Sequence, residues 1–126
     1  MTSHIHLIVG TEKGKLSDII RDLKSFTSRE IRKCIEQNER ESRREWLLWM
    51  MKRAGSKNKR NNDFQFWQQH NHPIELSDSK ILNQRLDYIH SNPVVQGFVE
   101  KEEEWSDSSC SEYYGAGKSK IELCII

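Results

Sequence analysis

The chain has 126 residues, of which 35% are hydrophobic and 31% charged. We expect a single soluble domain over residues 1–126, because no run approaches the roughly 20 apolar residues that a membrane span needs. The net charge of +1 conceals an asymmetry: residues 13–60 hold 15 Lys and Arg against 7 Asp and Glu, whereas residues 61–126 hold 5 against 11. The basic half suits a phosphate backbone or, alternatively, a solvated helix face. The absence of a signal peptide and the odd, scattered cysteines favour a cytoplasmic protein.

The first predicted element is a strand in "SHIHLIVG", where His4 and His6 flank Ile5. Successive side chains of a strand point to opposite faces, so the two imidazoles share one face. That arrangement can hold one metal ion. The alternative is a pair of core histidines satisfied by hydrogen bonds.

A helix is predicted next, because the apolar residues from Leu16 to Ile31 recur at helical spacing. Its opposite face carries Lys24, Arg29 and Arg32, which suit phosphate contacts. A second helical piece is expected in "REWLLWMMKRAG", followed by an exposed basic loop over residues 53–63. The aromatic stretch "FQFWQQ" then predicts a short strand that ends before Pro73.

The last predicted helix runs from about Ser77 to Asn92, and we expect Pro93 to end it. Arg85, Tyr88 and Asn92 lie three and four residues apart, so they form a row on one face. A guanidinium, a phenol and an amide are displayed together there. The alternative is a partly buried tyrosine with an asparagine before a proline turn.

Five stretches in this order resemble the single-tyrosine HUH transposases, and most of all the REP-associated tyrosine transposase branch. They are "SHIHLIV", "LSDIIRDLKSFTSREI", "FQFWQQ", "LDYIHSNPVVQGFVE", and a tryptophan and two serines before "EYYG". The resemblance implies an α+β fold, with an antiparallel sheet in ferredoxin-like or RRM-like order and helices on one face. The family's first strand and helix have no counterpart before His4. A truncated copy, a late start codon and a homodimer that covers the gap are three explanations.

By this resemblance His4, His6 and Asn92 bind a divalent metal, Mg²⁺ or Mn²⁺, although imidazoles also suit Zn²⁺. Tyr88 is the nucleophile that cuts single-stranded or hairpin DNA, leaving a 5′-phosphotyrosine and a free 3′-hydroxyl. The implied function is DNA transposition in a bacterial cytoplasm. Two alternatives stay open: a non-catalytic DNA-binding remnant of the same fold, and a small metal-dependent hydrolase that uses His4, His6 and His72.

Overall fold

The computed structural model describes residues 3–58 and 63–124, which form helices joined by irregular segments. The helices are α1 (Leu16–Gln37), α2 (Arg44–Ser56), α3 (Ser79–Val95) and α4 (Cys110–Tyr113), with a 3₁₀ turn at Glu102–Glu104. The predicted α+β fold is therefore wrong, because no strand occurs in the described ranges. None of the helices in those ranges is long and apolar enough to cross a membrane.

Both predicted strands fail for the same physical reason, which is the lack of a backbone partner. A strand exists only where its N–H and C=O groups bond to a neighbouring strand. The stretch from His4 to Gly10 is irregular and belongs to no ladder. In "FQFWQQ", the backbone N–H of Gln65 donates to the Met51 carbonyl of α2 at 2.9 Å. The Trp67 indole N–H donates to Thr27 Oγ1 of α1 at 2.8 Å, so this segment lies against helices.

The chain divides into two compact units where the sequence suggests one domain. Residues 9–73 form the basic unit, with 15 Lys and Arg against 9 Asp and Glu. Residues 1–8 and 74–126 form the acidic unit, with 5 against 10. The boundary between the units therefore follows the charge asymmetry of the sequence.

In the basic unit, α1 packs against α2, whose Met51 is buried. Three ion pairs at helical spacing reinforce the exposed face of α1, Arg21 with Asp18, Arg32 with Glu36 and Lys33 with Glu30. Helix α2 continues to Ser56, so its last turn overlaps the basic loop predicted over residues 53–63. Residues 59–62 of that loop lie outside the described part of the chain.

In the acidic unit, α3 begins where the sequence predicts, since the Asp78 carboxylate accepts a hydrogen bond from the Ile81 N–H at 2.8 Å. Its predicted end at Asn92 is wrong, because the helix includes Pro93 and continues to Val95. A proline lacks only its own N–H, and the backbone N–H groups of Gln96 and Phe98 still bond to the carbonyls of Asn92 and Pro93.

Candidate functional site

The site lies in the acidic unit, where the segment that carries the two histidines meets one face of α3. The rings of His4 and His6 are 4.9 Å apart between centroids and nearly perpendicular, at 84°. His4 is exposed and His6 is half-buried. The His6 ring also packs edge-on against the Tyr88 ring, with centroids 5.5 Å apart. A phenol and two imidazoles are therefore neighbours.

Helix α3 presents Tyr88 and Asn92 on the same face, because residues four apart are neighbours on a helix. The Tyr88 side chain is half exposed, whereas Asn92 is only 7% exposed. The Asn92 Nδ2 lies 3.5 Å from His6 Nε2, at the outer limit of a hydrogen bond. The partner atom Oδ1 of the same amide is buried without a hydrogen-bond partner among the described residues.

An unsatisfied buried acceptor is uncommon, since most buried polar atoms in proteins are paired. The Asn92 amide can also rotate by half a turn about its terminal torsion, which exchanges the positions of Oδ1 and Nδ2. In the rotated orientation the amide oxygen would take the position of Nδ2, next to the imidazole of His6. A cation bound beside this amide would give the unpaired oxygen of Asn92 a partner.

The electrostatics of His6 favour a neutral ring. Burial lowers the pKa of His6 below its ordinary value, and the nearby charge of His4 lowers that pKa further. A neutral imidazole is the form that binds metal ions, and it competes with protons for the same nitrogen. His6 is therefore chemically suited to ligate a metal at neutral pH.

The structure thus brings His4, His6 and Asn92 together with Tyr88, and the Asn92 amide, once rotated, can offer its oxygen beside the imidazole of His6. Such a mixed nitrogen and oxygen set is compatible with Mn²⁺, Mg²⁺ or Zn²⁺. No group of three or more His, Cys, Asp and Glu side chains suited to a metal occurs within residues 3–58 and 63–124. The candidate site depends on Asn92 as its third ligand.

The four cations predicted to contact DNA are distributed over both units. Arg85 is exposed on α3, three residues before Tyr88. Lys24, Arg29 and Arg32 lie on α1 in the basic unit. Arg32 bonds to Glu36 at 2.7 Å and its guanidinium lies 4.6 Å from the centre of the Phe64 ring, so it is already paired within its unit.

A second polar cluster is buried in the acidic unit, around His90. His90 is 1% exposed, and its Nε2 lies 2.9 Å from Ser109 Oγ. The Tyr113 ring packs on the His90 ring at 5.4 Å. The neighbouring Cys110 is fully buried, and burial raises the pKa of its thiol to about 11, with the carboxylates of Glu102 and Glu103 adding to the effect. This thiol is inert at neutral pH.

The alternative nucleophile Tyr114 lies in an unsuitable environment for attack on a phosphate. It lines a cavity together with Glu102 and Glu103. The negative charge of Glu102 raises the pKa of Tyr114 above its ordinary value. The same carboxylates repel a phosphodiester, so Tyr88 is the better placed of the two phenols.

Comparisons with family models, with curated proteins and with solved structures return no match for this chain.

Proposed function

We propose that this chain cuts and rejoins single-stranded DNA by a metal-dependent reaction in which Tyr88 is the nucleophile. The observation that carries the proposal is the Asn92 amide, whose Oδ1 is buried and unpaired and whose Nδ2 lies 3.5 Å from His6 Nε2, with the Tyr88 ring packed against the same imidazole. A phenol that adjoins a set of metal-ligating atoms has the two components needed for phosphodiester transfer. The resemblance to single-tyrosine HUH transposases supports the same chemistry.

His4, His6 and the Asn92 amide oxygen would hold a divalent cation, with Mg²⁺ or Mn²⁺ favoured by the resemblance. The bound cation would neutralise charge on the scissile phosphate, as it does in other phosphoryl transfer reactions. The protein residues fix the position of the phosphate relative to the phenol. Arg85 is three residues from Tyr88 on the same helix, and it can donate hydrogen bonds to a phosphate oxygen.

Tyr88 carries out the transfer by an exchange of one phosphodiester for another. A new bond forms between Tyr88 Oη and phosphorus, and the bond from phosphorus to the 3′ oxygen breaks. The proton lost by the phenol is taken up by the departing 3′ oxygen, which becomes a hydroxyl. The 5′-phosphotyrosine conserves the phosphodiester, so a 3′-hydroxyl can later reverse the step and rejoin a strand without ATP.

The test is to incubate the full chain with a labelled hairpin DNA and Mn²⁺ and to look for a covalent adduct on a denaturing gel. We expect the adduct with the natural sequence and with Tyr114→Phe, and no adduct with Tyr88→Phe. His6→Ala should also lose the adduct, while His70→Ala should keep it. An adduct that persists in Tyr88→Phe and disappears in Tyr114→Phe would contradict the assignment.

The binding data from the same variants separate the alternatives. Tyr88→Phe removes one hydroxyl, so hairpin affinity should stay within about threefold of the natural chain. Hairpin binding without any adduct in the natural chain would favour the non-catalytic DNA-binding protein. An absence of DNA affinity would leave the metal-dependent hydrolase as the remaining alternative.

A further inference from the structure

An open groove of about 590 Å³ runs along α1 in the basic unit, between that helix and residues 64–71. The groove lies wholly within residues 9–73, and Tyr88 and the two histidines belong to the other unit. Basic, aromatic and amide side chains line it, and none of its described lining residues is acidic. This composition is unusual for a chain in which acidic residues are nearly as common as basic ones.

Two cations of the groove are free to meet an anionic ligand. Lys24 Nζ donates to the Gln68 backbone oxygen at 2.7 Å, and Arg29 Nη1 donates to Ser25 Oγ at 3.0 Å. These partners are uncharged, and neither cation forms an ion pair with a carboxylate in the described part of the chain. Arg21 also lines the groove, but Asp18 and Asp22 already neutralise it.

An aromatic surface lies beside these cations. The Phe66 side chain is 37% exposed and stands perpendicular to the Trp67 ring, with centroids 5.0 Å apart. The Trp67 indole is itself held by the Thr27 hydroxyl of α1 at 2.8 Å. Phe66 therefore rests on a side chain of fixed orientation, and an exposed ring held in this way can stack on a planar ligand.

We infer that this groove binds a short stretch of single-stranded nucleic acid, with phosphates at Lys24 and Arg29 and an unpaired base on Phe66. The two cations are five residues apart, about 7.5 Å along the helix axis and about 140° around it, so each can hold a different phosphate of a strand that lies along the groove. Stacking on Phe66 requires an unpaired base, because the faces of duplex bases are already covered. The exposed amides of Gln69 and Asn71 at the edge of the groove can bond to base edges.

The inference goes beyond the proposed reaction and does not require it, since binding in the groove involves neither metal nor Tyr88. The groove thus supplies strand binding that is separate from the chemistry. An acidic peptide could also meet the two cations, but it would not use the aromatic ring. The two ligands are therefore distinguishable by experiment.

The experiment measures fluorescence anisotropy of a labelled 12-nucleotide oligothymidine with the full chain in EDTA. We expect saturable binding, at least tenfold weaker binding of a duplex of the same length, and weaker binding of a poly-glutamate peptide. Two neutralised phosphates on a single strand predict a slope of about −1.4 for log affinity against log salt. Equal or tighter binding of the duplex or of the peptide would overturn the inference.

Matched variants on the same unit locate the binding surface. Phe66→Leu keeps an apolar side chain and removes the flat ring, so affinity should fall about 5- to 150-fold, the range expected for loss of one stacked base. Phe26→Leu is the control, because Phe26 is 59% exposed on α1 and does not line the groove. Arg29→Gln should weaken binding and reduce the salt slope. Lys33→Gln should do neither, since Lys33 lies outside the groove and is paired with Glu30.

Equal losses in Arg29→Gln and Lys33→Gln would show that only net charge matters, and the groove would then be rejected. Unchanged affinity in Phe66→Leu would also reject it. Tyr88→Phe and His6→Ala should leave oligothymidine binding intact. An absent covalent adduct with intact groove binding would therefore contradict the proposed reaction alone.

Discussion

The buried amide of Asn92 is costly to the folded chain unless something binds its oxygen. A buried acceptor without a partner typically costs about 1–3 kcal/mol of desolvation free energy. Helix α3 places this amide against His6, and the preceding turn of the same helix carries Tyr88. A stability cost at a position that joins a ligating side chain and a nucleophile is typical of functional sites.

The substitution Asn92→Asp should raise the pKa of His6 and tighten Mn²⁺ binding. A carboxylate 3.5 Å from His6 Nε2 favours the protonated ring in the absence of metal, and it adds a negative ligand when metal is present. The His6 pKa can be followed by NMR titration, and metal affinity by calorimetry. The control is Asn83→Asp, which adds the same charge to an exposed position about 2.5 turns earlier on α3. A change of equal size in both variants would argue against the site.

Ser109→Ala should destabilise the acidic unit by about 1–3 kcal/mol, because it leaves the buried His90 Nε2 without its partner. Urea unfolding measures this loss as a lower midpoint. Ser106→Ala, at an exposed position in the same segment, should change the midpoint little. A neutral Ser109→Ala would mean that the bond at 2.9 Å contributes no net stability.

Local spacing in the sequence predicted two pairs of neighbours, whereas the family resemblance alone implied that His6 meets Tyr88 and Asn92. The four-residue interval between Tyr88 and Asn92 placed them on one helix face, and His4 and His6 lie close together although their segment is not a strand. The buried pair of His90 and Ser109 could not be predicted, because its members are 19 residues apart and no periodic pattern links them. Contacts across such separations depend on how elements pack.

Helix α2 packs closely against the backbone of Phe64, and this close packing depends on Gly55. A Cβ built on Gly55 would lie 2.6 Å from the Phe64 Cα and 2.7 Å from the Phe64 backbone nitrogen. These are backbone atoms, so they cannot rotate away as a flexible side chain can. The close approach also supports the bond from the Gln65 N–H to the Met51 carbonyl.

Gly55→Ala should therefore destabilise the basic unit even though alanine is the better helix former. Helix propensity favours alanine by about 1 kcal/mol, whereas overpacking against a rigid backbone costs about 1–3 kcal/mol and occasionally more. We expect a net loss, measured as a lower urea midpoint of the basic unit by the fluorescence of Trp46 and Trp49. Gly10→Ala is the control, since its Cβ would meet nothing within 4 Å. A stabilised Gly55→Ala would show that the segment moves aside freely.

Helices were more predictable than strands in this chain because a helix satisfies its hydrogen bonds locally. The helix predicted over Leu16 to Ile31 and the helix predicted from about Ser77 each correspond to a helix that the structure contains. The apolar stretches "HIHLIV" and "FQFWQQ" have strand-like composition, yet each would need a partner strand that the described residues do not provide. The effect of Pro93 was misjudged, because a proline near the C-terminus of a helix removes only one backbone hydrogen bond.

Across the whole chain, charge and burial are distributed unequally. The basic unit contains the groove, and the acidic unit contains the histidine and tyrosine cluster. Few hydrophobic side chains of the described ranges are buried, Met51 and Cys110 being the two. With so little buried apolar surface, single polar contacts make up a larger share of the net stability. The hydrogen bond between the buried His90 and Ser109 is one such contact.

The stability of the folded chain should fall as the pH falls below about 6.5. Burial lowers the pKa of His90 below its ordinary value of 6.5, and the opposing charges of Glu102 and Asp87 do not offset that effect. The unfolded chain then binds more protons than the folded chain in this range, so the free energy of unfolding decreases as protons are added. His6 acts in the same direction, since its pKa is also lowered by burial. Above the pKa that histidine has in the unfolded chain, the contribution of these neutral histidines to the free energy of unfolding is fully present.

The variant His90→Gln tests this pH dependence directly, because glutamine can still bond to the Ser109 hydroxyl and has no titrating group. Urea unfolding of both proteins between pH 5 and pH 7.5 gives the free energy of unfolding at each pH. We expect the natural chain to lose stability through this window and His90→Gln to lose distinctly less, with the difference largest at the acidic end. Above pH 7 the curves should run parallel, whatever offset the substitution itself introduces. Equal slopes below pH 6.5 would mean that the folded protein accommodates a protonated His90, and burial of its ring would then not govern the acid sensitivity of the acidic unit.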